Sequence, residues 1–166
     1  SKALNQLLWD THWGELDYLF VDMPPGTGDI QLTISQKAKL SGAVVVTTPQ
    51  DLALLDARKG IEMFAKVQVP VLGIVENMST HVCSQCGHEE SIFGADGGAK
   101  LASDYGTELL ASLPLSMAIR QQADAGNPSI VAEPHSSAAS VYAELASALE
   151  AKIGHVQNGP SISIEE

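Results

Sequence analysis

"LDYLFVDMPPGTGDIQLTISQ", residues 16–36, decides the fold. Its first part, 16–22, is apolar at nearly every position instead of alternating, the pattern of a strand buried on both faces. The strand ends in Asp22 and runs into the Gly/Pro-rich loop "MPPGTGD". From residue 30 the apolar positions return at helical spacing, with Asp29 placed to cap the helix. A buried strand, a glycine loop and a helix in that order form one unit of a parallel α/β sheet.

The same pattern repeats along the chain. "GAVVVTTP" (42–49) is a β-branched run and predicts a second buried strand, followed by an amphipathic helix over 51–67 opened by Asp51. "VPVLGIVENM" (69–78) predicts a third strand, and residues 79–96 read as an irregular polar loop. A short helix over 97–106, a weaker strand within 107–115 and helices over 116–126 and 136–153 come next. The opening "SKALNQLLWDTHW" reads as a helix in which Trp9 and Trp13 pack, and 154–166 reads as a loose tail. Arg120 and Asp124, at i and i+4, suit a surface ion pair. The expected architecture is one α/β domain over 1–153, a mostly parallel sheet with helices on both faces.

Composition narrows the function. The chain has 166 residues, 45% of them hydrophobic, and a formal net charge of -11. Such a surface repels phosphate backbones and anionic lipid, so neither a nucleic acid nor a membrane is an expected partner. No apolar run approaches the ~20 residues of a spanning helix. Two cysteines in C-x-x-C spacing, with no secretory leader ahead of them, point to metal or redox chemistry in the cytoplasm.

In parallel sheets, ligands gather at the carboxyl ends of the strands. Asp22 stands at the first such end and, as a Walker B aspartate does, can hold the water shell of Mg²⁺. Gly26 and Gly28 behind it let backbone amides approach a phosphate. The same residues also describe a plain Pro-Gly turn with Asp22 as its polar end. After the third strand come Asn77 and then "HVCSQCGHEE" (81–90), where Cys83 and Cys86 are flanked by His81 and His88. Two cysteines and two histidines make a tetrahedral set on paper, but so tight a run rarely lets all four converge. A thioredoxin-like dithiol should open a helix, and the residues after Cys86 are turn-rich instead.

Several of these segments together resemble the Mrp/ApbC family of iron–sulfur cluster carrier ATPases, relatives of MinD and of the nitrogenase iron protein. The resemblance runs through 16–36, "VVVTTPQDLALLDARKGIEMF", "VLGIVENMS", C-x-x-C, "IFGADGGAKLA", "LLASLPL" and "IRQQADAGNPSIVA", in order, over about residues 15–150. It implies a P-loop NTPase-like fold. It also implies ATP and Mg²⁺ near Asp22, Gly26 and Gly28, an adenine contact for Asn77, and a place near the base for Pro114. One departure is large. The family's G-K-G-G-V-G-K-S loop has no counterpart here, and the chain contains no Gly-Lys pair at all. With Ser1 standing just ahead of the switch strand, the expectation is that the family's N-terminal part is missing and that this chain alone does not hydrolyse ATP. For the cysteines the resemblance implies a [4Fe–4S] cluster bridging a homodimer, with Zn²⁺ as a substitute and apo iron–sulfur proteins as recipients. Ligand counting agrees, because two thiolates per chain make four in a symmetric pair. A zinc- or cluster-bridged dimeric module without nucleotide function is the alternative.

Overall fold

The computed structural model describes residues 2–24, 26, 28–83 and 85–155. The centre is a three-stranded parallel sheet of β1 (Ala43–Thr47), β2 (Val71–Glu76) and β5 (Leu109–Ser112), in the order β1-β2-β5. β1 pairs with β2 from Ala43↔Val71 to Thr47↔Glu76, and β2 with β5 from Ile74↔Leu109 to Glu76↔Ser112. Each strand returns through a helix, as parallel pairing requires. The long α3 (Asp51–Lys66) joins β1 to β2, and α4 (Gly97–Asp104) leads into β5.

The core follows from strand alternation. Val45 and Ile74 point to the face on which Ala57 and Ile61 of α3 and Leu101 and Ala102 of α4 close down. Ile74 and Leu101 have no exposed surface, and each contributes roughly 2–3 kcal/mol by burial. α3 and α4 are also tied at the surface by Arg58–Asp104 (3.0 Å) and by the Tyr105 hydroxyl donating to Glu62 (3.1 Å). On the opposite face Leu110 sits over Gly73, too close for a Cβ there. α7 (Ser137–His155) packs on β5 and on the short α6 (Ser129–Ala132). α5 (Met117–Asp124), capped by Ser116, carries the expected Arg120–Asp124 pair at 2.8 Å.

Several expectations need correction. Residues 17–22 form no strand, and Leu16, Tyr18, Leu19 and Phe20 stand exposed, Phe20 at 79%. A strand needs a neighbour to take up its backbone groups, and among the described residues no strand pairs with this segment. Trp9 and Trp13, expected to pack, are both 45% exposed, and the Trp13 indole donates to the Leu8 carbonyl within the turn after α1 (Lys2–Trp9). Asp29 and Asp51 are the first residues of α2 (Asp29–Lys37) and α3, not their caps, which are Gly28 and Gln50. There each carboxylate acts on the helix dipole rather than on a backbone amide. Helix α7 continues to His155, and the remainder of the expected tail, 156–166, lies outside the described residues.

Candidate metal-binding loop at the carboxyl end of the sheet

The polar segment 79–96 leaves the sheet at the carboxyl end of β2 and returns there, anchored at both ends. On the way out, Asn77 N–H donates to Thr47 O (2.7 Å), and Ser79 donates to Leu113 O through its backbone amide (3.0 Å) and its hydroxyl (3.1 Å). Leu115 N–H then donates to Thr80 O at 2.8 Å, and His81 bridges to Leu115. On the way back, Gly98 N–H donates to the carboxylate of Glu76 at 2.5 Å. A Cβ on Gly97 would lie 2.9 Å from Pro49 O, and one on Gly98 would lie 2.9 Å from Glu76 Cβ. The "GADGG" glycines therefore let the start of α4 settle on the ends of β1 and β2.

Between the anchors the chain forms an antiparallel ribbon of β3 (His81–Val82) and β4 (Glu89–Glu90), with His81 opposite Glu90 and Val82 opposite Glu89. The cysteines sit in its tip. Cys83 N–H donates to His88 O, and Gly87 N–H, with φ of 71°, donates to Cys83 O, both at 2.9 Å. The backbone amide of Gln85, then that of Cys86, then the Cys86 thiol, hydrogen-bond the Cys83 sulfur and lower its pKa. Burial and the Glu90 charge oppose them, more weakly. A tight turn whose amides point at a cysteine sulfur stabilises a thiolate, the form that binds metal. Cys83 is half-buried and Cys86 exposed, and both are free thiols.

The histidines do not complete the set. The His81 ring is held at Leu115 O, its Nδ1 at 3.3 Å. Among the described residues no three His, Cys, Asp or Glu side chains converge on a common point.

The nucleotide candidates fall into two groups. Asn77 and Pro114 lie at the same end of the sheet as the cysteine loop. The Asn77 side-chain oxygen accepts from Met78 N–H at 2.9 Å, so this residue shapes the turn. Pro114 lies between Leu113, whose N–H reaches Glu76 O at 2.8 Å, and Leu115, bound to Thr80. A residue without an N–H fits between two that donate. Asp22, Gly26 and Gly28 belong instead to the strandless segment ahead of α2, and all three are exposed. Gly26 has φ of 96°, which a side chain would strain. Gln31, buried within α2, donates from Nε2 to Pro24 O at 2.9 Å and ties this loop to the helix. Sequence reasoning passed over Gln31 and Glu76. A polar residue among apolar ones was the available signal in both cases.

A family profile described as ParA, the NUBPL iron-transfer P-loop NTPase, matches residues 1–150. A Pseudomonas fragi protein named iron-sulfur cluster carrier protein is 64% identical over 146 residues, 88% of this chain and 51% of that protein. The mouse iron-sulfur cluster transfer protein NUBPL is 53% identical over 146 residues, 88% of this chain and 46% of its own. A nucleotide-binding protein of Archaeoglobus fulgidus, solved with ADP, superposes with a TM-score of 0.67 at 41% identity, covering 75% of this chain and 51% of that one. The cell-division ATPase MinD of Pyrococcus furiosus superposes with a TM-score of 0.53 at 25% identity, covering 67% and 43%. The chain spans about half the length of the curated relatives it matches. Its parallel sheet is that of a P-loop NTPase, and the resemblance read from the motifs holds. The chain belongs to the ParA family of NUBPL-type iron-transfer P-loop NTPases.

Proposed function

We propose that the chain carries the cluster-holding part of an iron–sulfur cluster carrier. Cys83 and Cys86 from each of two copies would bind one [4Fe–4S] cluster as cargo and pass it to apo iron–sulfur proteins. The observation that supports this best is that Cys83 and Cys86 share one ribbon tip, closed by Cys83 N–H donating to His88 O and Gly87 N–H to Cys83 O, while no third ligand converges among the described residues. A cluster held by Cys residues takes four thiolates, and a symmetric pair supplies them. The names of the relatives favour iron–sulfur cargo over a structural Zn²⁺.

In this reading ATP and Mg²⁺ act in a protein that also has the phosphate-cradling loop. Asp22 would hold the magnesium water shell, Gly26 and Gly28 would admit the γ-phosphate, and Asn77 would offer the NH₂ end of its amide to adenine near Pro114. The exposed, strandless setting of Asp22 favours a second reading for this chain taken alone, a metal-bridged dimeric module without nucleotide chemistry.

The test is iron content after anaerobic reconstitution, measured together with mass in solution. The expected result is one four-iron cluster per two chains, lost with Cys83→Ser or Cys86→Ser. A monomer with a full metal equivalent that survives Cys83→Ser would defeat the proposal.

A further inference from the structure

Glu76 is the last residue of β2 and is 4% exposed. A carboxylate this buried needs a partner. Its partner is the amide of Gly98, the second residue of α4, 2.5 Å away and twenty-two residues along the chain. The residue that caps α4 in sequence, Asp96, has φ of 60° and makes no side-chain cap bond. Glu76 therefore does from the sheet what a cap does from within the chain, with the favourable end of the helix dipole facing its charge. The backbone of Glu76 is also committed, since its carbonyl accepts from Leu113 N–H at 2.8 Å, and Asn77 comes directly after it. One residue thus touches the exit of the cysteine loop, the extension of β5 and the start of the turn that leads into the loop.

We propose that Glu76 is a positioning residue for the cysteine ribbon. Its carboxylate closes the 79–96 excursion by holding Gly98, and so sets where Cys83 and Cys86 stand relative to the strand end that bears Asn77. Its relevance to cargo rests on the cluster-carrier reading, but the mechanical claim is tested without metal.

The experiment is residue-resolved amide hydrogen exchange on the metal-free chain, with wild type, Glu76→Ala and Glu76→Gln. The amides of Cys83 and Gly87 report the ribbon tip, and that of Ile74, bonded to Glu108 O at 2.8 Å, reports the sheet. In Glu76→Ala the ribbon amides should exchange roughly tenfold faster, the order expected on losing a charge-assisted hydrogen bond, while Ile74 is unchanged. Glu76→Gln keeps an acceptor oxygen and should restore most of the protection. Where the alanine variant does not fold, Glu76→Asp, whose carboxylate stops one methylene short, replaces it with the same two readouts. Unchanged ribbon exchange would overturn the proposal. Equal acceleration at Ile74, or a glutamine variant as fast as alanine, would also overturn it. Cobalt titration of wild type and Cys83→Ser, beside the Glu76 variants, is read separately. Binding that ignores Cys83→Ser would sink the cluster reading and leave the exchange result standing.

Discussion

Nδ1 of His81 lies 3.3 Å from the carbonyl oxygen of Leu115, thirty-four residues further along the chain. The ring faces the extension of β5 and anchors the ribbon where it leaves the sheet. In the cluster-carrier reading this sets the histidine apart from the neighbouring cysteines. His81→Ala should leave metal content per chain unchanged and cost about 1 kcal/mol of stability for the lost contact. Cys83→Ser should do the reverse. Parallel metal analysis and urea unfolding of the two variants check both. Loss of metal in His81→Ala would revive a mixed cysteine–histidine site.

Ile74 and Val46 are one strand apart in the sheet and opposite in burial, at 0% and 62% exposed. Ile74→Ala should cost ~2–5 kcal/mol, the range for emptying a closed core position. Val46→Ala should fall within about 0.5 kcal/mol, as surface changes do. Denaturant midpoints at unchanged slope would show the contrast.

Gly73→Ala should destabilise although alanine has the better intrinsic propensity. The added Cβ would meet the Leu110 side chain and lie 2.9 Å from Glu108 O, and a backbone oxygen does not swing aside. Overpacking of this kind costs about 1–3 kcal/mol. A companion Leu110→Ala should recover part of that loss, and a thermal melt of the double variant is the measurement. No recovery would show that the backbone oxygen alone sets the penalty.

The alkaline limb of stability should depend on Tyr105. Its burial raises the phenol pKa first, and the Glu62 carboxylate that accepts its hydrogen bond raises it further, against a smaller opposing effect of Arg58. The folded state therefore holds the proton more tightly than the unfolded chain does. That contribution is full below the unfolded value of about 10 and is lost as pH rises through the folded value. Tyr105→Phe should flatten the slope of stability against pH above about 10 and leave it unaltered at neutrality, apart from a constant offset.

The sequence was most readable in the unbroken apolar runs, even though β1 buries one face and leaves Val46 on the other exposed. β1 and β2 announce themselves as β-branched runs with no polar interruption, and their helices as clear 3.6-residue periods. Residues 17–22 have the same pattern and form no strand, because an apolar run records a preference for burial and says nothing about whether a neighbour is there. The ribbon of β3 and β4 escaped notice for another reason, since two residues per strand are too few to show a period. The cysteine pair was legible at once, and its anchors were not. Glu76 and Gly98 meet across twenty-two residues, and nothing in either neighbourhood names the other.

The segment that lacks a sheet neighbour leads to the last prediction. Leu16, Tyr18, Leu19 and Phe20 are 45–79% exposed and sit within five residues of one another. A contiguous apolar patch of this kind drives association in water. The chain should therefore self-associate in two separable ways. Metal-dependent pairing should need Cys83 and Cys86 and saturate at the dimer, because the four ligands close the site. Patch-driven association should be indifferent to metal and chelator, grow with concentration without a fixed stoichiometry, and weaken on cooling as apolar contacts do. Leu19→Lys with Phe20→Lys should suppress the second mode, and the existing charge of -11 leaves room for two added lysines. The doubly substituted chain, measured by sedimentation at several concentrations with and without metal, should then show monomer and metal-linked dimer alone. If the lysine variant also lost its metal-linked dimer while remaining folded, the 16–20 segment would be part of the pairing surface, and the two modes would be one.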